Sequence, residues 1–282
     1  MTEPLVEVKN LRIAFPTEAG GWNETVRGVS FSLGREKLGI VGESGSGKSL
    51  SGRAILGVLP DHVRIEAETL AFDGIDLLTA SSRQRRHLRG GRMGMVLQDP
   101  KFSLNPVMTA GEQIVEAIRI GDRRIGRTAA RKTALEILES LHIRSPELVF
   151  NRYPHELSGG MGQRVMIGIM VVREPDLLIA DEPTSALDVT VQMQVLSILD
   201  ELVERRRMGL IFISHDLQLV SRFCDRVIVM YAGQIVETLD AKRLNEAQHP
   251  YTRGLLACLP EIDGPLTPLP VLDRQAAWSQ TS

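Results

Sequence analysis

The stretch Leu38-Gly-Ile-Val-Gly-Glu-Ser-Gly-Ser-Gly-Lys-Ser49 joins a short apolar run to a glycine-rich turn with the spacing G-x-x-x-x-G-K-[ST]. The run predicts a buried strand, and the turn leads into a helix that is predicted to begin near Lys48. Glycines in this turn let backbone N–H groups point inward with no side chain in front of them. The N-terminus of the following helix adds partial positive charge. The stretch therefore predicts a loop that holds the phosphates of a nucleotide.

Two side chains at the end of this loop have the chemistry that such a ligand needs. Lys48 is expected to reach the β and γ phosphates, and the Ser49 hydroxyl is expected to ligate Mg²⁺. A plain glycine-rich strand-to-helix turn is the alternative, and the agreement of spacing and context favours the phosphate loop. The predicted nucleotide-binding residues are Gly42, Glu43, Ser44, Gly45, Ser46, Gly47, Lys48 and Ser49.

Strands and helices alternate on the C-terminal side of the loop. Apolar runs at residues 177–180, 209–214 and 226–230 predict buried strands, and an apolar stripe between the first two predicts an amphipathic helix. The stripe consists of Val191, Val195, Leu199 and Leu202. This alternation predicts a parallel sheet that helices cover on both faces.

Other patterns occur on either side of this region. Residues 5–15 and 26–33 alternate apolar and polar side chains, which predicts strands of an antiparallel sheet. Residues 111–141 have helical spacing and high helix propensity. The basic run at residues 83–92 contains no aromatic residue, so a solvated helix face is favoured over a nucleic-acid patch.

A pair of acidic residues ends the apolar run Leu177-Leu-Ile-Ala-Asp-Glu-Pro183. The carboxyl ends of parallel strands share one edge of a sheet, and nucleotides bind at that edge. We expect Asp181 to hold Mg²⁺, directly or through water. Glu182 is expected to project to the other side of the strand and to polarise an attacking water. A capping Asp-Glu pair at a strand end is the alternative, and the phosphate loop argues against it.

Composition excludes several classes of protein. The 282 residues carry 33 basic and 35 acidic side chains, a net charge of −2, whereas a dedicated nucleic-acid binder would be basic. The two cysteines, Cys224 and Cys258, are too few for a disulfide framework or a four-cysteine metal site. No run approaches the roughly 18 apolar residues of a spanning helix, and the N-terminus lacks the apolar region of a secretory signal. We therefore expect a chain that is soluble by itself and reaches a membrane only through a partner.

The segment Tyr153-Pro-His-Glu-Leu-Ser-Gly-Gly-Met-Gly-Gln-Arg164 narrows the interpretation. Within it, Leu157-Ser-Gly-Gly160 resembles the signature motif of ABC (ATP-binding cassette) ATPases. Gln98 is similar to the Q-loop glutamine of that family, Ser185-Ala-Leu-Asp188 to its D-loop and His215 to its switch histidine. These motifs follow the family's order from Gly42 to His215. The resemblance implies a P-loop NTPase (RecA-like) α/β core with a parallel sheet, an N-terminal antiparallel β subdomain and an inserted α-helical subdomain.

The resemblance also implies domain limits. The ABC ATPase domain would span residues 1–260, with the helical subdomain at about 100–165. Residues 261–282 would be a tail, and its proline-rich, polar composition predicts an extended segment.

The resemblance assigns further roles. Two protomers would enclose two ATP molecules, and the signature of one would contact the ATP of the other. Gln98 would join Ser49 and Asp181 at Mg²⁺, and His215 would contact the γ-phosphate beside the catalytic Glu182. Phe15 matches the position where the family stacks an aromatic ring on adenine, although a core aromatic is the equal alternative. The signature group is Leu157, Ser158, Gly159, Gly160 and Gln163, and the D-loop group is Ser185 and Asp188.

Three details resemble the ATPases of peptide and nickel importers. They are the loop entry Gly39-Ile-Val-Gly-Glu-Ser44, the run Gln98-Asp-Pro-Lys-Phe-Ser-Leu-Asn-Pro106 and the segment His249-Pro-Tyr-Thr-Arg-Gly-Leu-Leu256. The close relatives have Met-Arg-Gln-Arg after the signature, where this chain has Gly162. Many of them carry a four-cysteine iron–sulfur motif after this last segment. No cysteine follows Cys258, so we expect no iron–sulfur cluster.

The resemblance implies an ATPase subunit that powers dipeptide or oligopeptide import across a bacterial inner membrane, peripheral on its cytoplasmic face. Nickel and opine-type solutes are alternative cargoes. The implied partners are two multispanning permease subunits, a second ABC ATPase (identical or paralogous) and, indirectly, a periplasmic binding protein, with no nucleic acid. The membrane subunit would dock beside the Q-loop, on a surface that includes Lys101, Phe102, Leu104 and Pro106.

Two other classes of function fit the sequence less well. A soluble ABC ATPase acting on DNA or the ribosome usually carries two cassettes, zinc modules or long coiled coils, and this chain shows one cassette. A P-loop kinase for small molecules would lack the signature at Leu157–Gly160.

Overall fold

The computed structural model describes residues 3–258, apart from the side chains of residues 101 and 102. The chain divides into two compact units. The first contains the described residues up to Ala80 and those from Ile211 onward, and the second is Ser81–Leu210. The predicted tail at residues 261–282 lies outside the described residues.

The first unit begins with an antiparallel sheet. Its strand β1 pairs antiparallel with β2, β4 and β5, and Val6 lies opposite Leu33 in the β1–β2 register. Val6 and Val8 are buried, and so are Leu11 and Ile13, so the period of two holds on each side of a register shift between Val8 and Leu11. The elements of this part are β1 Val6–Pro16, β2 Trp22–Leu33, β3 Lys37–Val41, α1 Lys48–Leu56, β4 Arg64–Glu66, β5 Thr69–Phe72 and β6 Ile75–Asp76.

The second unit is mainly helical. Its two strands, β7 and β8, are parallel and buried along their whole length, with Met93 opposite Leu177. A π-helical turn, Leu88–Arg92, and a 3₁₀ turn, Pro154–Glu156, lie among its elements. These are α2 Ser82–His87, β7 Met93–Val96, α3 Pro100–Ser103, α4 Ala110–Gly121, α5 Arg127–Ser140, α6 Pro146–Phe150, α7 Gly159–Val171, β8 Leu177–Asp181 and α8 Val189–Arg206.

The chain then returns to the first unit and builds its second sheet. Within this unit the strands lie in the order β11-β10-β3-β9, and β10 runs parallel to β3 with Arg226 opposite Leu38. The run from Gly209 to Ser214 is buried throughout, as the continuous apolar pattern predicts. The elements are β9 Gly209–Ser214, α9 Leu217–Phe223, β10 Arg226–Tyr231, β11 Gln234–Asp240, a 3₁₀ turn Ala241–Glu246 and α10 Pro250–Ala257.

The architecture confirms the predicted fold class. Parallel strands alternate with helices in the core, and an antiparallel sheet precedes them. Within residues 3–258, no helix combines the length and the apolar character needed to cross a membrane.

Candidate nucleotide-binding site

The phosphate loop lies between β3 and α1, where the sequence predicts it. Two of its glycines are required by close packing as well as by backbone conformation. Gly42 has φ 151°, and a Cβ there would lie 2.1 Å from the Met230 carbonyl oxygen. Gly47 has φ 95°, and its Cβ would lie 2.9 Å from Cγ2 of Val26. Any other residue at these two positions would strain the loop.

Lys48 is held inside the loop by the loop's own backbone. Its side chain is buried, and Nζ donates hydrogen bonds to the carbonyl oxygens of Gly42 and Glu43, each at 2.8 Å. Nζ also lies 3.5 Å from the Ser46 hydroxyl. The ammonium group therefore lies inside the loop, where it would neutralise a bound anion.

A cavity of about 180 Å³ opens at this loop. The exposed residues Ser44 and Gly45 border it, and a Cβ added at Gly45 would meet no atom within 4 Å. The loop thus combines an unobstructed backbone with a buried cation, which fits the phosphates of a nucleotide. The cavity is lined by Glu43, Ser44, Gly45, Ser46, Tyr231 and Ala232.

Three more predicted site residues belong to the first unit. Ser49 is half-buried in the first turn of α1. Phe15 is half-buried near the end of β1, opposite Asn23. His215 is exposed and directly follows β9, and the next residue, Asp216, caps α9 by accepting a hydrogen bond from the Leu219 amide at 2.9 Å.

In the second unit, the acidic pair lies at the end of β8. Asp181 is the last residue of the strand and is 6% exposed. Glu182 is not a strand residue, contrary to the expectation that it continues the alternation of the strand. Its backbone is left-handed, with φ 49°, so the turn and not the pleat sets the direction of its side chain. Gln98 is exposed and lies two residues after β7 ends at Val96.

The signature segment forms the N-terminus of α7. Ser158 is the N-cap, and its hydroxyl accepts a hydrogen bond from the Met161 amide at 3.3 Å. Ser158 and Gly159 are exposed, while Gly160 packs closely on helix α8. A Cβ at Gly160 would lie 2.3 Å from Cγ1 of Val191. Leu157 is half-buried.

Gln163 differs from its expected role in this group. The resemblance places it with the residues that contact the partner's ATP, but its side chain is 1% exposed. Its amide donates to the carbonyl of Leu97, the residue before Gln98, at 3.4 Å. Because α7 turns this position inward, Gln163 connects the signature helix to the Q-loop inside the unit.

The expected docking surface after Gln98 is also corrected in part. Leu104 is 4% exposed, so it packs inside the second unit and does not present an apolar surface. The side chains of Lys101 and Phe102 lie outside the description, and Pro106 is exposed. Gly162 faces this region, since its Cβ would lie 3.3 Å from Pro100. Because Gly162 has no side chain, α3 can approach α7 closely at this position.

The D-loop residues are exposed and locally bonded. The hydroxyl of Ser185 donates to the Glu182 carbonyl at 3.1 Å. Asp188 is the N-cap of α8 and accepts a hydrogen bond from the Val191 amide at 3.0 Å. Asp188 therefore stabilises the fold by capping the N-terminus of α8.

Comparison with known proteins decides the family. The family model for ABC transporters matches residues 26–185. The chain is 46% identical over 262 residues to the oligopeptide transport ATP-binding protein OppD of Bacillus subtilis, covering 92% of this chain and 73% of that protein. This chain belongs to the ABC transporter family of ATPases.

Two further comparisons agree with that membership. The dipeptide transport ATP-binding protein DppD of Haemophilus influenzae is 48% identical over 261 residues, covering 92% of this ABC ATPase and 78% of DppD. A solved ATP-binding cassette, described as a dimer in a post-hydrolysis state bound to ADP and Pi, matches with a TM-score of 0.75 and 25% identity. The match covers 84% of this chain and 98% of that cassette.

Each unit therefore gathers a part of the predicted site. The first unit brings together the phosphate loop and the buried Lys48, and the second carries the acidic pair, the Q-loop and the signature. Tyr251, whose hydroxyl contacts the loop, was missed as a site residue, although the sequence singles out its segment.

Proposed function

We propose that this ABC ATPase powers the import of dipeptides or oligopeptides across a bacterial inner membrane. Two observations together carry the proposal. The phosphate loop is complete, with Lys48 buried inside it, and the chain is 46% and 48% identical to oligopeptide and dipeptide transport ATP-binding proteins. The cargo is inferred from those relatives. The ATPase itself binds nucleotide, and the permease subunits would carry the peptide.

The residues of the first unit would bind ATP. The loop amides and the N-terminus of α1 would hold the phosphates, Lys48 would neutralise their charge, and Phe15 would stack on adenine. His215 would contact the γ-phosphate with its imidazole. Its exposure after β9 supports this role, since a buried structural histidine would not reach a ligand.

The second unit would supply the groups that act on water and metal. Glu182 would orient the attacking water as a general base. Mg²⁺, when bound, would screen the phosphate charge as a Lewis acid. Asp181 and Gln98 offer carboxylate and amide oxygens, and Ser49 of the first unit offers a hydroxyl; these are the hard ligands that Mg²⁺ prefers. This donor set fits the metal.

A second ABC ATPase, identical or paralogous, would complete each ATP site. The exposed Ser158 and Gly159 at the N-terminus of α7 support this proposal, because they present a hydroxyl and amides to an anion from outside the chain. The solved cassette with a TM-score of 0.75 is described as a dimer. Ser185 and Asp188 would lie at the same dimer interface.

The permease subunits would hold the ATPase on the cytoplasmic face of the membrane. A groove of about 1020 Å³ in the second unit supports a docking role. The exposed side chains of Arg119, Arg123 and Arg127 line it, and they make no hydrogen bond or ion pair within the described residues. Glu112 and Glu116 also line the groove, but the arginines outnumber them, and with the apolar Val115 and Ile120 the lining suits an acidic, amphipathic permease segment.

Reconstituted transport tests this proposal. The ATPase, its two permease subunits and the binding protein are assembled in lipid vesicles, and uptake of labelled di- and oligopeptides is measured with and without ATP. We expect ATP-dependent peptide uptake that is absent with the Lys48→Ala variant. Uptake of nickel but not of peptide would show that the cargo is nickel and that the peptide assignment is wrong. Failure to assemble with any permease would overturn the importer proposal.

A further inference from the structure

The peptide unit between Gly42 and Glu43 is held from both sides. Its carbonyl oxygen accepts a hydrogen bond from Nζ of Lys48 at 2.8 Å. Its N–H donates to the hydroxyl oxygen of Tyr251 at 3.1 Å. The C=O and N–H of a planar trans peptide point in opposite directions, so these two bonds fix the orientation of one plane. That plane is the entry to the phosphate loop.

Tyr251 is itself rigidly placed. It is 0% exposed, and its ring lies 4.5 Å from that of Tyr231, which borders the cavity at the loop. It is the second residue of α10, a helix whose start is tied to β11. The carboxylate of Glu237 accepts hydrogen bonds from the backbone amides of Gln248 and His249, at 2.6 Å and 3.2 Å.

The start of α10 is also capped. His249 is its N-cap, and Nδ1 accepts a hydrogen bond from the Tyr251 amide at 3.2 Å. Pro250 occupies the first helical position, where a missing N–H is tolerated. The hydroxyl of Tyr251 is therefore brought to the loop by a segment more than 200 positions away in the chain.

We propose that Tyr251 is a positioning residue for ATP binding: its hydroxyl orients the Gly42–Glu43 peptide so that the loop holds Lys48 in place before nucleotide arrives. This inference rests on the proposed ATP binding. A loop that is already ordered loses less conformational freedom when the ligand binds, so its affinity is higher. Tyr251 contacts the loop and not the reacting atoms, so its effect is on binding and not on the chemical step.

The test is the variant Tyr251→Phe in the full chain, which removes the hydroxyl and keeps the buried ring. We expect the Kd and KM for ATP to rise about fivefold, the factor that corresponds to one net hydrogen bond, with kcat at saturating ATP unchanged. Without nucleotide, the Glu43 amide should exchange its hydrogen faster than in the wild type. The melting temperature should fall by a few degrees at most.

A matched control lies at the next position. Thr252 is also 0% exposed and in α10, and its hydroxyl has no hydrogen-bond partner within residues 3–258. Thr252→Val removes that hydroxyl with little change in shape, so ATP affinity and Glu43 exchange should match the wild type.

Equal ATP affinity in Tyr251→Phe and Thr252→Val would overturn the inference, as would unchanged protection of the Glu43 amide. If Tyr251→Phe lowered the melting temperature but kept wild-type ATP affinity, the role of Tyr251 would be purely structural, and the inference would be overturned. If the wild-type chain itself bound no ATP, the proposed function would fail. If Lys48→Ala lost ATP binding while Tyr251→Phe kept wild-type ATP affinity, only the proposed role of Tyr251 would be wrong.

Discussion

The phosphate loop and the signature segment are both glycine-containing turns that lead into a helix, but they differ in what the chain supplies around them. The loop is enclosed by its own unit. Lys48 is buried among loop carbonyls, and Gly42 abuts the Met230 carbonyl. The signature segment is open, with Ser158 and Gly159 exposed. In the proposed function, the first anion site is built in advance, whereas the signature would present its donors to a ligand held by a second protomer.

Backbone packing shows the same contrast at neighbouring glycines. Gly160 touches Val191 so closely that a Cβ would lie 2.3 Å from Cγ1, while a Cβ at Gly159 would meet its nearest atom at 3.6 Å. Within the signature, Gly160 is therefore needed for helix packing, whereas Gly159 leaves an accessible surface. Different experiments can separate these two roles.

The largest effect is expected at the enclosed site. Lys48→Ala removes the buried cation, so ATP hydrolysis should fall by about 10³-fold or more, with much weaker nucleotide binding. Lys9 lies in the same unit in an exposed ion pair with Glu7, and Lys9→Ala should leave turnover unchanged. Steady-state ATPase assays compare the two. Normal turnover in Lys48→Ala would remove the phosphate-loop assignment.

The next effect concerns Glu182. Glu182→Gln should keep ATP binding and lower turnover by roughly 10²-fold or more, because it removes only the carboxylate that orients water. Size-exclusion chromatography with ATP should then show a stable dimer. Glu174 also has a left-handed backbone, with φ 52°, so Glu174→Gln is the matched control and should turn over normally. A variant that stays monomeric with ATP and all partner subunits present would contradict the sandwich arrangement.

A smaller effect tests whether the open site needs a second protomer. Ser158→Ala should lower ATP turnover about tenfold by removing a donor to the anion, while ATP binding by the single chain persists. The same substitution at Ser81, the N-cap of α2, costs a similar cap bond and should leave turnover unchanged. Equal turnover in the two variants would reduce Ser158 to a capping residue.

The smallest effect separates the two signature glycines by stability. Gly160→Ala should lower the melting temperature by several degrees, because the added methyl overlaps Val191 and overpacking costs about 1–3 kcal/mol. Gly159→Ala should melt within about two degrees of the wild type. Thermal melts without nucleotide measure both. Identical melts would mean that α7 and α8 separate without cost.

Much of the fold was predictable because its signals are local. Continuous apolar runs identify the buried strands β3, β8, β9 and β10, and the period of two identifies β1 and β2. The short strands β4 and β6 carry no such pattern, since three residues and two residues are too few to show a period. Strand β4, Arg64–Glu66, pairs with β1 through long-range contacts that form only in the folded sheet.

The sequence by itself determined the chemistry of this protein, because the phosphate loop, the acidic pair and the signature are contiguous motifs whose residue types and spacing are sufficient to recognise. The tertiary structure decided which neighbouring residues serve the fold. It turned Gln163 inward to the Leu97 carbonyl, placed Glu182 outside the strand, and brought Tyr251 to the peptide at Glu43. The reason is physical: helix rotation, a left-handed turn and a contact across more than 200 positions depend on packing between elements, which no local spacing encodes.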